Sequence, residues 1–196
     1  MKKLAVLISG GGSNLQSIID SSKNGILKDI ACISVVISNK PDIFGLERAK
    51  QANIRAVGLD YKSLGETEYN KQLFEIIKSE NIDIICMAGY LKKLPEVIVQ
   101  QYKKKILNIH PALLPKFGGK GMYGHFVHEA VVKAKETKSG ATVHFADENY
   151  DTGSIIVQKE IGILPTDSPE EVAKKVLKIE HEIYPLAIKK VIEGNV

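Results

Sequence analysis

Asn108-Ile109-His110-Pro111 sets an amide and an imidazole two residues apart at the end of an apolar run. In an extended strand, residues i and i+2 point to the same face. Asn108 and His110 therefore offer a hydrogen-bond donor for a developing oxyanion and an acid/base to one reacting group. Further along, Asp147, Glu148 and Asp151 form an acidic cluster. A carboxylate beside His110 would favour the imidazolium and hold the ring; spacing alone leaves open which of the three reaches it. The second constellation is Ser9-Gly10-Gly11-Gly12-Ser13-Asn14, between an apolar run and an amphipathic one. Bare amides at a helix N-terminus bind anions, and glycines let the anion approach closely. Ser13 or Asn14 is expected to cap the helix or add a donor.

Neither familiar nucleotide loop fits. A dinucleotide fingerprint needs a third glycine where Leu15 stands, and an acid near the end of the second strand, where Ser38-Asn39-Lys40 stands. No Gly-Lys-Ser/Thr triplet occurs, so there is no Walker A loop. One phosphate on a small molecule fits better than NAD or ATP. Of the other histidines, His125 and His128 are spaced i, i+3, but no H-E-x-x-H occurs and no metal site is expected. His144 alternates within a strand-like stretch and reads as a hydrogen-bonded sheet residue, and His181 as structural. Cys32 and Cys86 lie far apart in apolar runs and read as buried thiols.

The elements needed to position these groups follow from hydrophobic period. Residues 4–9, 33–38, 56–59, 82–88 and 106–109 read as strands. Between them Leu15, Ile18 and Ile19, then Phe44, Leu46 and Ala49, then Tyr69, Leu73, Ile76 and Ile77, mark helical faces. Residues 95–101 add a short helix. The order βαβαβαβαβ implies a parallel sheet with right-handed crossovers. Residues 112–124 are a Pro- and Gly-rich loop, and 127–134 fit a short helix. Residues 140–146 and 154–160 read as paired strands, with turn chemistry at Asp151-Thr152-Gly153. Ser168, Pro169 and Glu171 spell a capped helix start with a buried stripe of Val172, Val176, Ile179 and Ile183. Pro185 is expected to kink or interrupt that helix. The fold class is α/β, a Rossmann-like open, mostly parallel twisted sheet with helices on both faces and an antiparallel strand pair in the C-terminal part. Residues 1–196 are read as one domain.

Composition is that of a globular chain: 196 residues, 44% hydrophobic and 26% charged, which excludes a disordered, collagenous or rod-like protein. No apolar run reaches membrane-spanning length and no signal-peptide pattern follows Met1-Lys2-Lys3, so a cytoplasmic protein without membrane contact is expected. A net charge of +4 is too small to argue for nucleic acid. Residues 101–140 hold 8 Lys against 2 acids, a net +6, and residues 141–196 hold 6 bases against 10 acids, a net −4. The basic stretch reads as solvated lysines or as a rim attracting an anionic small molecule.

The motifs, taken in order, resemble a known family. Val6-Leu-Ile-Ser-Gly-Gly-Gly-Ser-Asn-Leu-Gln16, Ser38-Asn-Lys40, Met87-Ala-Gly-Tyr90, Asn108-Ile-His-Pro-Ala-Leu-Leu-Pro115 and His144-Phe-x-Asp-Glu-x-x-Asp-x-Gly153 are similar to the phosphoribosylglycinamide formyltransferases, among the folate-dependent formyltransferases. The resemblance runs over nearly the whole chain. It implies formyl transfer from 10-formyltetrahydrofolate, as co-substrate, to the amine of 5-phosphoribosylglycinamide in purine biosynthesis, with no metal and no covalent intermediate. It implies that Asn108, His110 and Asp151 are catalytic, Asp151 because the family's acid lies seven residues beyond the His of His-Phe. On this reading Asp151 raises the His110 pKa and protonated His110 stabilises the oxyanion. Gly12, Ser13 and Asn14 match the phosphate loop, and Glu180 a carboxylate near the ribose. Leu91, Lys92, Lys93 and Leu94, with Ala146, Asp147, Glu148, Asn149 and Tyr150, match folate-lining segments, to which Asn108 and Asp151 also belong. Residues 117–125 make a longer loop than in some relatives and read as a mobile substrate lid. Where some relatives carry a folate-associated basic residue, Glu66 stands here, and the lysines of 101–140 are expected to attract the folate's glutamate tail. The family's hydrolases carry a regulatory domain and its tRNA-directed members a C-terminal RNA-binding domain; neither is expected between Met1 and Val196. A hydrolase, or a non-catalytic binding module, is the alternative, and nothing here sets an oligomeric state.

Overall fold

The computed structural model describes residues 1–196. Seven strands form one sheet in the order β3-β2-β1-β4-β5-β6-β7, an open, mostly parallel Rossmann-like arrangement with helices on both faces and one antiparallel pair. The chain divides into two compact units, Met1–Leu107 and Asn108–Val196.

In the first unit, β1 (Lys2–Ile8) pairs in parallel with β2 (Ala31–Ser38) and with β4 (Ile84–Met87), and β2 pairs in parallel with β3 (Arg55–Gly58). Leu4, Ala5, Val6 and Leu7 are all fully buried, so both faces of β1 are covered and its sequence is apolar without alternation. Helix α1 (Ser13–Asn24) buries Leu15, Ile18 and Ile19 as their spacing predicts. Helix α2 (Phe44–Gln51) buries Leu46 and Ala49, but Phe44 at its first position is exposed, and its ring lies under the Arg48 guanidinium. Helix α3 (Tyr61–Ser79) buries Tyr69, Leu73 and Ile77 and breaks at Gly65, whose φ of 72° and ψ of 166° are not helical. Helix α4 (Glu96–Gln101) leads into β5 (Ile106–His110). Both cysteines are free thiols. Cys86 is buried, and burial pushes its thiol pKa far up; Cys32 is only half-buried, because β2 is less well covered at its start.

In the second unit, α5 (His125–Lys133) packs with α6 (Pro169–Glu193), which covers β6 (Lys138–Phe145) and β7 (Ile155–Gly162). These strands are antiparallel, with Thr142 opposite Gln158. Gly140 and Gly153 permit this pairing. A Cβ on Gly140 would stand 2.1 Å from the Lys159 carbonyl oxygen, and one on Gly153 would stand 1.8 Å from that of Phe145. The Ser168 capping box forms as expected, with the hydroxyl accepting from Glu171 N and the Glu171 carboxylate accepting from Ser168 N at 2.7 Å. Pro185 does not interrupt α6, which stays helical to Glu193. The ring removes one N–H, that which would bond the carbonyl of His181. Burial of Ile183, Tyr184, Ala187 and Ile188 around it holds the helix through this defect, each isoleucine contributing roughly 1.5–3 kcal/mol. No helix is long and apolar enough to cross a membrane.

Candidate functional site

The end of β5 and the loop after β6 bring the predicted polar groups of the second unit together. His110 and His144 are almost fully buried, and the Asp151 side chain is 10% exposed. Asp151 Oδ2 stands 3.6 Å from His110 Nδ1, and Oδ1 stands 3.4 Å from His144 Nε2. The Asn108 amide nitrogen lies 3.1 Å from His144 Nε2 and 3.4 Å from Asp151 Oδ1. Gly119 N–H donates to Asp151 Oδ2 at 2.9 Å. Of the three candidate acids, Asp151 is the one in the cluster. Asp147 is occupied within its own loop, where it accepts from Asn149 N at 2.9 Å and from the Thr152 hydroxyl at 2.8 Å, and Glu148 is exposed.

Asp151 reaches this position by adopting a φ of 56°, a left-handed conformation uncommon for a residue with a Cβ. That choice costs of order 1 kcal/mol and turns the carboxylate inward. A side chain at Gly118 would stand 2.6 Å from Leu114 Cδ2 and 3.4 Å from Asp151 Cβ, so the loop above the carboxylate must lie close and bare. The entry to that loop is pinned by Thr142, whose hydroxyl donates to the Ala112 carbonyl at 2.6 Å and accepts from Leu114 N at 3.2 Å. Gln158 Nε2 donates both to Thr142 Oγ1 and to the Leu114 carbonyl.

His110 differs from expectation in its charge. Burial lowers its pKa below the ordinary imidazole value and outweighs the opposing pull of Asp151 and of the Phe117 carbonyl. Nε2 faces that carbonyl at 2.7 Å and therefore carries the hydrogen. The neutral Nε2–H form accordingly prevails, rather than the imidazolium that Asp151 alone would favour. For Asp151, burial pushes its pKa up, but the facing His144 and His110 rings and the Gly119 amide together draw it below the usual carboxylate range.

His144 is a hydrogen-bonded residue of β6, as its place in the strand pattern implies, and those bonds also make it a member of the cluster. Its Nδ1 donates to the Phe145 carbonyl at 2.8 Å, which leaves Nε2 to accept from the Asn108 amide. The sequence signal was the period of two: His144 shares a strand face with Thr142, which touches the loop leaving His110. His128 is buried on α5, its Nδ1 has no hydrogen-bond partner, and burial lowers its pKa. No group of three or more His, Cys, Asp or Glu side chains is arranged to hold a metal ion.

In the first unit, the glycine loop is open. Gly12 is the N-cap of α1 at φ 73°, and no side chain caps the helix, so neither Ser13 nor Asn14 takes the capping role. Side chains at Gly10 or Gly11 would meet nothing within 4 Å, so packing does not require glycine at either position. Ser13 is half-buried and Asn14 buried at the start of α1. Ser9 Oγ donates to Asn39 Oδ1 at 2.6 Å and accepts from Leu91 N at 2.9 Å, joining the loop to residues 91–94. There Leu91 is exposed, Lys93 exposed and Leu94 buried, while Lys92 Nζ sits 3.6 Å over the Tyr61 ring. Below them, Tyr90 and Tyr69 share a buried hydroxyl contact of 2.5 Å, and burial pushes the Tyr69 pKa to about 12. Glu66 is exposed just past the break at Gly65.

Glu180 is on the buried face of α6 in the second unit. Ala146 is half-buried, and Asn149 and Tyr150 are exposed. The lysines of residues 101–140 are all exposed; Lys116 pairs with Glu136 and Lys138 with Glu160, so two of them are neutralised locally.

Comparison with known proteins adds lineage to this geometry. Residues 2–188 match the family model described as formyl transferase. The chain is 45% identical over 197 residues to phosphoribosylglycinamide formyltransferase of Haemophilus influenzae, covering 100% of this chain and 89% of that protein. It is 40% identical over 185 residues to the chloroplastic phosphoribosylglycinamide formyltransferase of Arabidopsis thaliana, covering 93% of this chain but 63% of that one. It is also 40% identical to the trifunctional purine biosynthetic protein adenosine-3 of Drosophila melanogaster, covering 99% of this chain and 14% of that protein's length. The crystal structure of glycinamide ribonucleotide transformylase 1 from Symbiobacterium toebii superposes with a TM-score of 0.91 at 35% identity, covering 99% of this chain and 89% of that one.

Proposed function

Since the chain belongs to the formyl transferase family, and within it to the phosphoribosylglycinamide formyltransferases, we propose that it transfers the formyl group of 10-formyltetrahydrofolate to the amine of 5-phosphoribosylglycinamide, a step of purine biosynthesis. The observation that carries this reading is the buried meeting of Asn108, His110, His144 and Asp151. Residues 1–196 are read as one formyltransferase domain, because the family match spans the division at Leu107.

The amine attacks the formyl carbon, and the carbonyl oxygen takes up negative charge. The Asn108 amide has two hydrogens, one facing His144 Nε2 at 3.1 Å and the other in the longer bond to Asp151 Oδ1 at 3.4 Å; exchanging that longer bond for the oxyanion supplies a donor. Removing one such donor costs about 2.7–4 kcal/mol of barrier. Neutral His110 spends its one N–H on the Phe117 carbonyl and leaves Nδ1, on the Asp151 side, able to take up a proton. As negative charge grows, the facing Asp151 makes an imidazolium easier to form. The new C–N bond joins the glycinamide nitrogen to the formyl carbon, and the bond from that carbon to the folate nitrogen breaks. One proton passes from the amine to the folate nitrogen, through His110 or a water beside it. Asp151 holds the ring and balances its charge. Gly12, Ser13 and Asn14 receive the phosphate through main-chain amides, and Glu180 serves the ribose. Residues 91–94 and 146–150 line the folate.

The test follows folate deformylation spectrophotometrically with and without 5-phosphoribosylglycinamide. Formyl recovered on the glycinamide, dependent on that acceptor, is the expected result. Formate released without it would mark a hydrolase, and no deformylation a binding module.

A further inference from the structure

The glycine loop owes its shape to α2. Gly45 N–H donates to the Gly10 carbonyl at 3.2 Å, and Arg48 Nε donates to the Gly11 carbonyl at 2.8 Å. Arg48 Nη1 also donates to Gln16 Oε1 at 3.1 Å, so one guanidinium spans the loop and the first turn of α1. Backbone also packs closely on backbone here, with the Ile8 side chain against Gly45. A Cβ on Gly45 would stand 2.5 Å from Ile8 Cδ1 and 2.7 Å from the Gly10 carbonyl oxygen, and a Cβ on Gly12 would stand 2.9 Å from Gly45 Cα.

A trans peptide plane points its C=O and its N–H in opposite directions. Tying the Gly10 and Gly11 carbonyls to α2 therefore turns the amides of Gly11 and Gly12 away from α2. With no side chain capping α1, those amides continue the row begun by the helix N-terminus, a concave set of donors suited to an anion. The guanidinium is held in turn by the Phe44 ring, 4.8 Å from its centroid. That contact gives the exposed Phe44 a purpose that core packing does not.

From this we infer that Arg48 is a positioning residue for the phosphate of the glycinamide substrate: it holds the glycine loop in its anion-accepting form and sets a positive charge behind the amides. The inference rests on the phosphate-loop reading above. An arginine is required because its planar fork meets two acceptors while stacking on a ring, and a lysine ammonium does not reproduce that geometry. The positioning is local to this loop, so its effect falls on one substrate.

The experiment measures steady-state kinetics of the wild type, Arg48→Met and Arg48→Lys with 5-phosphoribosylglycinamide and with the same acceptor lacking its phosphate. Circular dichroism melts establish that each variant is folded. Arg48→Met is expected to raise KM for the phosphorylated acceptor about tenfold, on the scale of one charge-assisted hydrogen bond. Its kcat and its KM for the folate are expected to stay within about twofold, because the interaction is uniform between ground and transition states. Arg48→Lys keeps the charge but loses the fork, and is expected to recover only part of the loss. The penalty is expected to vanish with the dephosphorylated acceptor. An unchanged KM in Arg48→Met, an equal penalty on both acceptors, or full recovery by lysine overturns the inference while leaving the phosphate-loop reading in place. A wild type that does not distinguish the two acceptors overturns that reading itself.

Discussion

From Ser9 to Asn14, neighbouring residues supply a whole anion-facing surface out of main-chain groups, and side chains enter chiefly by being absent. Asn108 and Asp151, by contrast, meet across 43 positions of chain, and every group they offer is a side chain. The loop needs only a strand, a turn and a helix in succession. The cluster needs β5, β6 and the loop after β6 to be docked, a left-handed φ at Asp151 and a bare Gly118 beside it. A backbone site tolerates changes that leave amides in place, whereas a side-chain site fails when one atom is lost or one supporting glycine gains a Cβ.

The sharpest way to break this contrast is Asp151→Asn. It removes the charge facing His110 and His144 while keeping the volume. We expect turnover to fall roughly 10²–10⁴-fold, the range of a positioned acid/base, with little loss of folded stability. Measurement of kcat against pH checks it; unchanged turnover and an unchanged profile in folded protein would remove Asp151 from the mechanism.

A pair of glycine substitutions compares the two regions directly. Gly153→Ala puts a Cβ against the Phe145 carbonyl that holds His144 Nδ1. We expect a loss of more than about 3 kcal/mol in denaturant unfolding, the scale of backbone strain in a packed site. Gly11→Ala meets nothing within 4 Å. Its unfolding midpoint is expected to move by less than about 0.5 kcal/mol, with its effect confined to KM for the phosphorylated acceptor. Equal destabilisation by the two would erase the distinction.

The smallest effect is in pH. Burial holds His110 and His128 below the ordinary histidine value of 6.5, so the unfolded chain takes up their protons first. Stability is therefore complete above that value and declines as pH falls below it, by at most about 1.4 kcal/mol per pH unit for each histidine. Melting temperatures between pH 7.5 and 5.5 test this, and His128→Leu is expected to flatten the slope. A flat wild-type profile would show that these histidines are not buried neutral.

Much of this was legible in the residues and some was not. Period alone located β1, α1, α3 and the capped start of α6, because those signals act over one or two turns. Pro185 carried an equally local signal for a break, and burial along α6 overrode it. Phe44 helps to mark α2 in the residues, but that its ring stays exposed beneath Arg48 is not visible there. His144 is the hydrogen-bonded sheet residue that its strand pattern implies, but that pattern cannot say that Asn108 is its partner.

By itself, then, the sequence determined the order of strands and helices, the glycine turn and the types of group available for chemistry, since each follows from torsional preference and short-range burial. Which carboxylate faces His110, that His110 is held neutral, that His144 bonds the Asn108 amide and that Arg48 grips Gly11 were decided only when distant segments packed together. Desolvation and hydrogen-bond geometry are properties of the space around a group, and that space exists only in the folded chain.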